Sequence, residues 1–225
     1  MGQLVSQVPT FGQLTNSLPD YVITQLFSPT QLDLAAQLLR QHQLVAFPTD
    51  TIYGLGTLAF DGPTAVRLYI AKDRPPEKAI PILIADVADL NQVAIDIPPI
   101  AQKLIDRFWP GALTLVLPKQ PSVPFEVSAT DTVAVRIPDL DLARALIRLT
   151  GPLAVTSANR SSGPNPRTAQ AVLDQLGGRI EAVVDGGVAP GGVPSTVLDC
   201  TRRAPIVLRE GAMADSVRAF LRGTL

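Results

Sequence analysis

The chain has one cysteine, Cys200, and one histidine, His42, among 225 residues. A lone thiol excludes an internal disulfide framework and fits a reducing compartment. A lone imidazole excludes zinc motifs that need two histidines, and it leaves one candidate for any histidine-based triad. Charge is also sparse, at 17% of residues against about 25% in an average soluble domain. Lys plus Arg is 19 and Asp plus Glu is 20, so 19 − 20 leaves a net charge of −1. Global electrostatic attraction for nucleic acid is therefore unsupported, and only a local basic patch would supply it. Long apolar runs are missing: stretches such as Ala112–Leu117 fall far short of the roughly 20 residues of a membrane helix. Phosphate-loop, three-glycine dinucleotide and Gly-x-Ser-x-Gly patterns are all lacking, and Gly54-Leu55-Gly56 has no third glycine.

What is present is a 46% hydrophobic chain, which excludes a disordered or acidic tail protein. At roughly 150 residues per domain, the length fits one domain, or one with an extension. Such a chain buries about 70% of its unfolded surface. Proline is abundant, 21 residues or about 9% against a usual ~5%. No proline repeat accompanies it, so the prolines punctuate loops.

Residues 1–27 are rich in Gln and turn formers and contain no Lys or Arg. A secretory signal needs a basic start and a continuous apolar stretch, and both are missing. Met1-Gly2-Gln3-Leu4-Val5-Ser6 matches the N-myristoylation pattern. No polybasic second anchor follows, and one acyl chain alone binds membranes marginally. The segment reads as an N-terminal extension, with no membrane association expected.

Strong periodicity starts at Ser28, where Ser28, Pro29 and Gln31 form a helix-start signature. Leu32, Ala35, Ala36 and Leu39 recur at helical spacing to about Gln41. Further helices are expected over Thr64–Ala71, Pro99–Phe108, Leu142–Leu149, Thr168–Leu176 and Ala214–Leu221. Strands are expected at Leu44–Phe47, Ala79–Ala85, Leu113–Leu117, Thr132–Ile137, Leu153–Thr156, Ala182–Val184, Thr196–Asp199 and Ile206–Leu208. This alternation predicts an α/β domain with helices covering the sheet. The expected division is an extension over 1–27, a catalytic domain over 28–213 and a C-terminal helix or tail over 214–225.

Ligands collect at strand ends and strand-to-helix loops, and polar residues break the apolar pattern at such places. Thr49-Asp50-Thr51 follows the first periodic strand; the two threonines also suit an ordinary strand end. Lys72 and Arg74 close a helix, where the dipole alone favours cations. Trp109-Pro110-Gly111 reads as a packed aromatic before a tight turn. Thr132, Ala134 and Arg136 share one strand face, and an Arg among Val and Ala requires an anionic partner, either a buried carboxylate or a ligand. Ser157 and Asn159 stand in a dense polar loop, where capping or turn formation is the alternative. Pro194-Ser195-Thr196 and Leu208-Arg209-Glu210-Gly211 flank the last two strands. Asp50, Asp139 and Asp185 lie near strand ends without paired-carboxylate spacing. What remains is a site of cations with hydroxyl and amide groups, suited to phosphates and carboxylates and needing no protein nucleophile.

Taken in order, Pro-Thr-Asp-Thr-Ile-Tyr-Gly-Leu, Lys-x-Arg-Pro, Trp-Pro-Gly-x-Leu-Thr, Thr-Val-Ala-Val-Arg-x-Pro, Ser-Ala-Asn, Pro-Ser-Thr-Val and Leu-Arg-x-Gly resemble the YrdC-type family, the threonylcarbamoyl-adenylate synthases. The resemblance covers about Ser28 to Gly211. It implies a YrdC-like single domain: a twisted mixed β-sheet flanked by helices, with a cation-lined concave site. The implied activity is a nucleotidyltransferase reaction joining L-threonine, bicarbonate and ATP into threonylcarbamoyl-AMP and pyrophosphate. A downstream tRNA threonylcarbamoyl-transfer complex then modifies adenosine 37 of tRNAs reading codons that begin with A. The resemblance places Lys72, Arg74 and Lys78 on the ATP phosphates, the first two as catalytic groups. Thr132, Ser157, Asn165 and Arg209 complete the nucleotide site, and Asn159 supports the loop. Thr51, Arg136, Val155 and Ser195 are implied on threonine. Leu83 stands where some members carry a His. Mg²⁺ is expected on the phosphates with no protein ligands assigned, and the location implied is cytoplasmic. Fourteen residues follow Gly211 (225 − 211), which resembles the single-domain form. Two other classes compete. An RNA-binding module of the same fold fits weak RNA contact but not the charge of −1 and the few aromatics. Carbamoyl transfer for hydrogenase maturation occurs in longer chains with Cys-x-x-Cys motifs, which are absent here.

Overall fold

The computed structural model describes residues 22–224. The Met1–Ser6 pattern lies outside the described residues. Ten strands form one mixed sheet: β1 (Gln25–Phe27), β2 (Val45–Phe47), β3 (Gly54–Leu58), β4 (Ile82–Leu83), β5 (Leu113–Pro118), β6 (Thr132–Arg136), β7 (Leu153–Ser157), β8 (Ala182–Val184), β9 (Thr196–Asp199) and β10 (Ile206–Arg209). Their order is β1-β8-β2-β3-β7-β4-β6-β5-β9-β10. Parallel pairs (β1 with β8, β2 with β8, β4 with β6, β5 with β9) mix with antiparallel ones. Six helices cover it: α1 (Leu32–Arg40), α2 (Gly62–Lys72), α3 (Pro99–Phe108), α4 (Asp141–Thr150), α5 (Ala169–Leu176) and α6 (Ala214–Thr224).

Period-two alternation divides the strand residues between two cores. Ala46, Ile82, Val133, Val135, Ala154 and Val183 face one cluster, with Leu68 of α2, Leu104 of α3, Val172 of α5 and Val217 of α6. Val45, Phe47, Leu83, Leu153, Val155 and Val184 face the other, with Ala35, Ala36 and Leu39 of α1 and Ala143, Leu146 and Ile147 of α4. Four helices therefore cover one sheet face and two helices cover only part of the other. The uncovered part is where β6, β5, β9 and β10 present half-buried Ala134, Val116 and Val197 and exposed Leu208. That bare area is the floor of the cleft described below.

The expected elements all occur, with local differences. Gln25–Phe27, within the expected extension, pairs with β8 in the sheet, and Phe27 is buried. α6 is packed rather than a free tail: Val217 is fully buried, and the Phe220 ring meets Phe108 edge-on at 5.4 Å. Within the apolar run Ala79–Ala85 the regular strand is Ile82–Leu83; Pro81 has no N–H to give but its O accepts from Val155 N, and Ile84 N donates to Arg136 O. Gly54–Leu58, which is not among the expected strands, is strand β3. Trp109 is packed as expected, its indole N–H donating to Leu113 O at 2.7 Å.

Candidate active site

A cleft of about 560 Å³ lies on the bare face of the sheet, within the usual range of roughly 300–1,000 Å³ for ligand pockets. Its floor is small and apolar, from Gly54 (β3), Val155 (β7), Leu83 (β4), Ala134 (β6), Val116 (β5) and Val197 (β9). Gly54 pairs with Ser157, and a Cβ at Gly54 would stand 2.6 Å from the Val155 side chain. A glycine there lets Val155 reach the floor while β3 and β7 keep their spacing. Cations ring the floor: Arg74, Lys78, Arg136 and Arg209 all line the cleft, and no Asp or Glu among the described residues does.

One end is organised by Arg136. The β6 alternation turns its side chain onto the cleft face, yet the residue is only 5% exposed. Its Nε donates to Gly111 O at 2.9 Å, and Nη1 donates to Thr51 Oγ1 at 3.0 Å. Nη2 pairs with the Asp50 carboxylate, so the anionic partner that the sequence demanded is present. A guanidinium has five N–H groups; three are used here, which leaves one on each terminal nitrogen. Burial lowers the Arg136 pKa, and Asp50 opposes that shift. The Thr49–Ile52 turn is tied by Thr49 Oγ1, which donates to Ile52 O at 2.7 Å and lies 2.9 Å from Thr51 Oγ1. Gly191 N and Gly192 N donate to Asp50 O and Thr51 O, strapping the turn from outside.

The other end is organised by Ser195, itself 5% exposed. The Arg209 guanidinium donates to Ser195 O at 2.8 Å through Nη2 and at 3.1 Å through Nε, and Nη2 reaches Ser195 Oγ at 3.1 Å. Ser195 Oγ is also 2.7 Å from Thr114 Oγ1 on β5. The approach of the Leu-Arg-Glu-Gly tail requires glycine: a Cβ on Gly211 would sit 2.4 Å from Ser195 C and Thr196 N. Arg74 donates to Ala79 O at 3.0 Å and Lys78 O at 3.3 Å. Burial lowers the Arg74 pKa, and Arg209 nearby adds to that; burial alone lowers that of Arg209. Among the described residues, Arg74, Lys78 and Arg209 form no salt bridge. The Glu77 charge acts on Arg74 without a salt bridge, and cations held together with no directly paired carboxylate make an anion site.

The expected site residues mostly converge. Thr51, Arg74, Lys78, Arg136, Val155, Ser157, Asn165, Ser195 and Arg209 all line the cleft. Lys72 does not. The last residue of α2, it is 2% exposed, and its Nζ donates to Ser157 O at 2.5 Å, to Asn159 O, and to Asn159 Oδ1 at 3.5 Å. Burial, with Arg74 adding, pushes its pKa down to about 7. Lys72 therefore stands beneath the Ser157 loop and not on the cleft wall: it is the last residue of α2, and left-handed Asp73 (φ 52°) breaks the helix before Arg74, which turns to the cleft. Thr132 shares the face of Arg136 but stands beyond the cleft lining, two residues past Ala134, with its hydroxyl 2.9 Å from Thr130 Oγ1. Asn159 supports the loop as expected, donating to Arg160 O at 2.9 Å and Gly163 O at 2.8 Å. Two participants were missed. Asp50 was noted only as an unpaired acid. Thr114 closes the Trp-Pro-Gly-x-Leu-Thr motif, and the signal for it is its β5 position opposite the β9 motif, where Thr114 pairs with Val197.

Among the described residues, no group of three or more His, Cys, Asp or Glu is placed to hold a metal, and no helix is long and apolar enough to cross a membrane.

The Sua5/YciO/YrdC family model, described as telomere recombination, matches residues 37–211. A threonylcarbamoyl-AMP synthase of Bacillus subtilis is 45% identical over 186 residues, covering 81% of this chain and 54% of that protein. One of Pyrococcus abyssi is 44% identical over 185 residues, again covering 81% and 54%. The chain thus spans about half the length of these curated relatives. The crystal structure of P. abyssi Sua5 complexed with L-threonine superposes with a TM-score of 0.81 at 42% identity, covering 84% of this chain and 58% of that one. The match across most of the chain, and the mixed sheet with its cation-lined concave face, have one conclusion: the chain belongs to the Sua5/YciO/YrdC family.

Proposed function

We propose that the chain is a threonylcarbamoyl-AMP synthase, condensing L-threonine, bicarbonate and ATP into threonylcarbamoyl-AMP with release of pyrophosphate. The observation that carries this reading is the junction at Ser195. The amino-acid end (Arg136, Thr51, Val155) and the nucleotide end (Arg74, Lys78, Arg209, with Ser157 and Asn165) line one cleft, and Ser195 is bonded directly to Arg209. The two unspent N–H groups of Arg136 suit the carboxylate of threonine, and Asp50 and Gly111 fix the plane of the guanidinium.

The chemistry asks for positioning and charge neutralisation. The threonine amine forms a C–N bond to bicarbonate with loss of water, or to CO₂ with loss of a proton, to give a carbamate. A carbamate oxygen then attacks the α-phosphorus of ATP, the bond to the bridging oxygen breaks, and pyrophosphate leaves. Arg74, Lys78 and Arg209 offset the triphosphate charge and the charge that builds on the leaving group. Holding the amino-acid carboxylate on Arg136 beside Ser195 makes a three-reactant encounter local. Mg²⁺ in this reading enters with ATP as part of that substrate, keeping most of its waters; among the described residues no Asp or Glu lines the cleft. The same reading places the chain in the cytoplasm, upstream of a complex that transfers the threonylcarbamoyl group to tRNA. Incubation with L-threonine, bicarbonate and MgATP is expected to yield threonylcarbamoyl-AMP by mass spectrometry. A folded chain that retains tRNA at low salt and forms no adenylate would overturn it.

A further inference from the structure

We infer that Lys72 is a positioning residue: its amine, buried under the Ser157–Gly163 loop, pins that loop in shape before any nucleotide arrives. A lysine ammonium has three N–H donors, and three oxygens meet them: Ser157 O, Asn159 O and Asn159 Oδ1. The two short contacts, to the Ser157 and Asn159 carbonyls, turn the amine toward the loop and away from the cleft. The same residue holds the loop a second time through its backbone, where Lys72 O accepts from Ser161 N at 2.7 Å. Asn159 then spreads the constraint by donating to Arg160 O and Gly163 O. Asp73 adds an outer tie through its pairs with Arg160 and Arg179.

The arrangement has a cost that a purely structural residue would avoid. Lys72 is buried with no carboxylate partner among the described residues, and a buried charge is tolerated only when its hydrogen bonds are made. An apolar side chain of equal length would fill the space without that cost, so the amine is kept for the carbonyls it orients. Ser157 is the last β7 residue paired to β3, opposite Gly54. Ladder pairing holds it on one side and Lys72 on the other, which fixes where its hydroxyl enters the cleft. Arg74, two residues on, faces the cleft directly, so the Lys-x-Arg pair divides between loop support and anion contact.

The test is amide hydrogen exchange on the ligand-free chain, with Lys72→Met and Lys72→Arg beside the parent. Loss of charge-assisted hydrogen bonds predicts roughly ten- to hundredfold faster exchange in Lys72→Met at the hydrogen-bonded amides of the loop. Those amides are Ala158, Ser161 and Gly163. Exchange in the distant core strand β5 is expected to be unchanged, Lys72→Arg to restore part of the protection, and Arg74→Ala to leave the loop as in the parent. Unchanged loop exchange in folded Lys72→Met would overturn the inference, as would uniform loss of protection throughout the sheet. If Lys72→Met does not fold, the parent with bound ATP decides: Nζ still on the Ser157 and Asn159 carbonyls supports the inference, and Nζ on a phosphate oxygen overturns it. Only the consequence for nucleotide binding rests on the proposed synthase function. A parent chain that fails to bind ATP would count against that function and leave the exchange result standing.

Discussion

Replacing Arg136 by lysine keeps one positive charge and removes the planar fork. In the parent, Nε, Nη1 and Nη2 engage Gly111 O, Thr51 Oγ1 and Asp50. An ammonium on a shorter stem reaches Asp50 or the ligand but cannot present two parallel N–H groups to a carboxylate. Hydrogen bonds to charged groups contribute about 1.5–3 kcal/mol each, so losing one from the bound carboxylate predicts roughly ten- to hundredfold weaker threonine binding. ATP affinity should fall less than threefold, because Arg74, Lys78 and Arg209 keep their places. Stability is expected to drop by about 1–3 kcal/mol as buried acceptors lose partners. Removing the charge altogether with Arg136→Met leaves Asp50 uncompensated, a situation that costs about 3–5 kcal/mol in buried pairs. Calorimetric titration of each substrate, with chemical denaturation alongside, separates these effects. Equal losses for threonine and ATP in a folded Arg136→Lys chain would refute the assignment and make Arg136 a structural ion-pair residue.

Three further outcomes follow from the same geometry. Arg74→Ala removes one charge-assisted contact and should slow ATP-dependent turnover roughly ten- to hundredfold with little change in melting temperature. Full turnover with a lower melting temperature would assign Arg74 to the helix end alone. Gly211→Ala pushes a Cβ to 2.4 Å from Ser195 C and Thr196 N. It should destabilise by about 1–3 kcal/mol and weaken both ligands through displaced Ser195; wild-type affinities would contradict the close packing. Lys72 has its pKa lowered to about 7 in the folded chain against about 10.4 when unfolded. The unfolded state therefore binds more protons between these values, and the cost of burying the charge is full below pH 7 and fades as pH rises toward 10. The stability of the parent relative to Lys72→Met is thus expected to rise across that window, measured by urea midpoints. A falling difference would reverse the sign.

The parts of the site carried by local pattern were legible, and the parts made by long-range packing were not. Arg136 stood out because a cation within Val-Ala-Val demands an anion, but nothing local named Asp50, 86 residues away in sequence. Lys72 and Arg74 looked alike, and only the helix end and left-handed Asp73 (φ 52°) determine which of them faces the cleft. Gly54-Leu55-Gly56 lacks the third glycine of a dinucleotide loop, and nothing local shows that these glycines are β3 residues making room for Val155. β1 escaped notice because a three-residue parallel strand carries almost no periodicity and depends on β8, more than 150 residues later. The α/β alternation was legible because helices such as α1, α3 and α4 bury one face at helical spacing, while strands such as β2, β7 and β8 are buried on both faces and stand out as short apolar runs.

The most direct test of the central claim is pyrophosphate release with each component omitted in turn, after dissolved CO₂ has been stripped. The attacking group is a carbamate oxygen, which exists only when threonine and bicarbonate are both present. Without it the cation ring holds ATP beside no nucleophile. Pyrophosphate is therefore expected only when L-threonine, bicarbonate, Mg²⁺ and ATP are all supplied, with serine as a weaker substitute because one methyl in a pocket is worth about 1–3 kcal/mol. Equal release with and without threonine would contradict the synthase function and leave an ATP hydrolase built on the same residues.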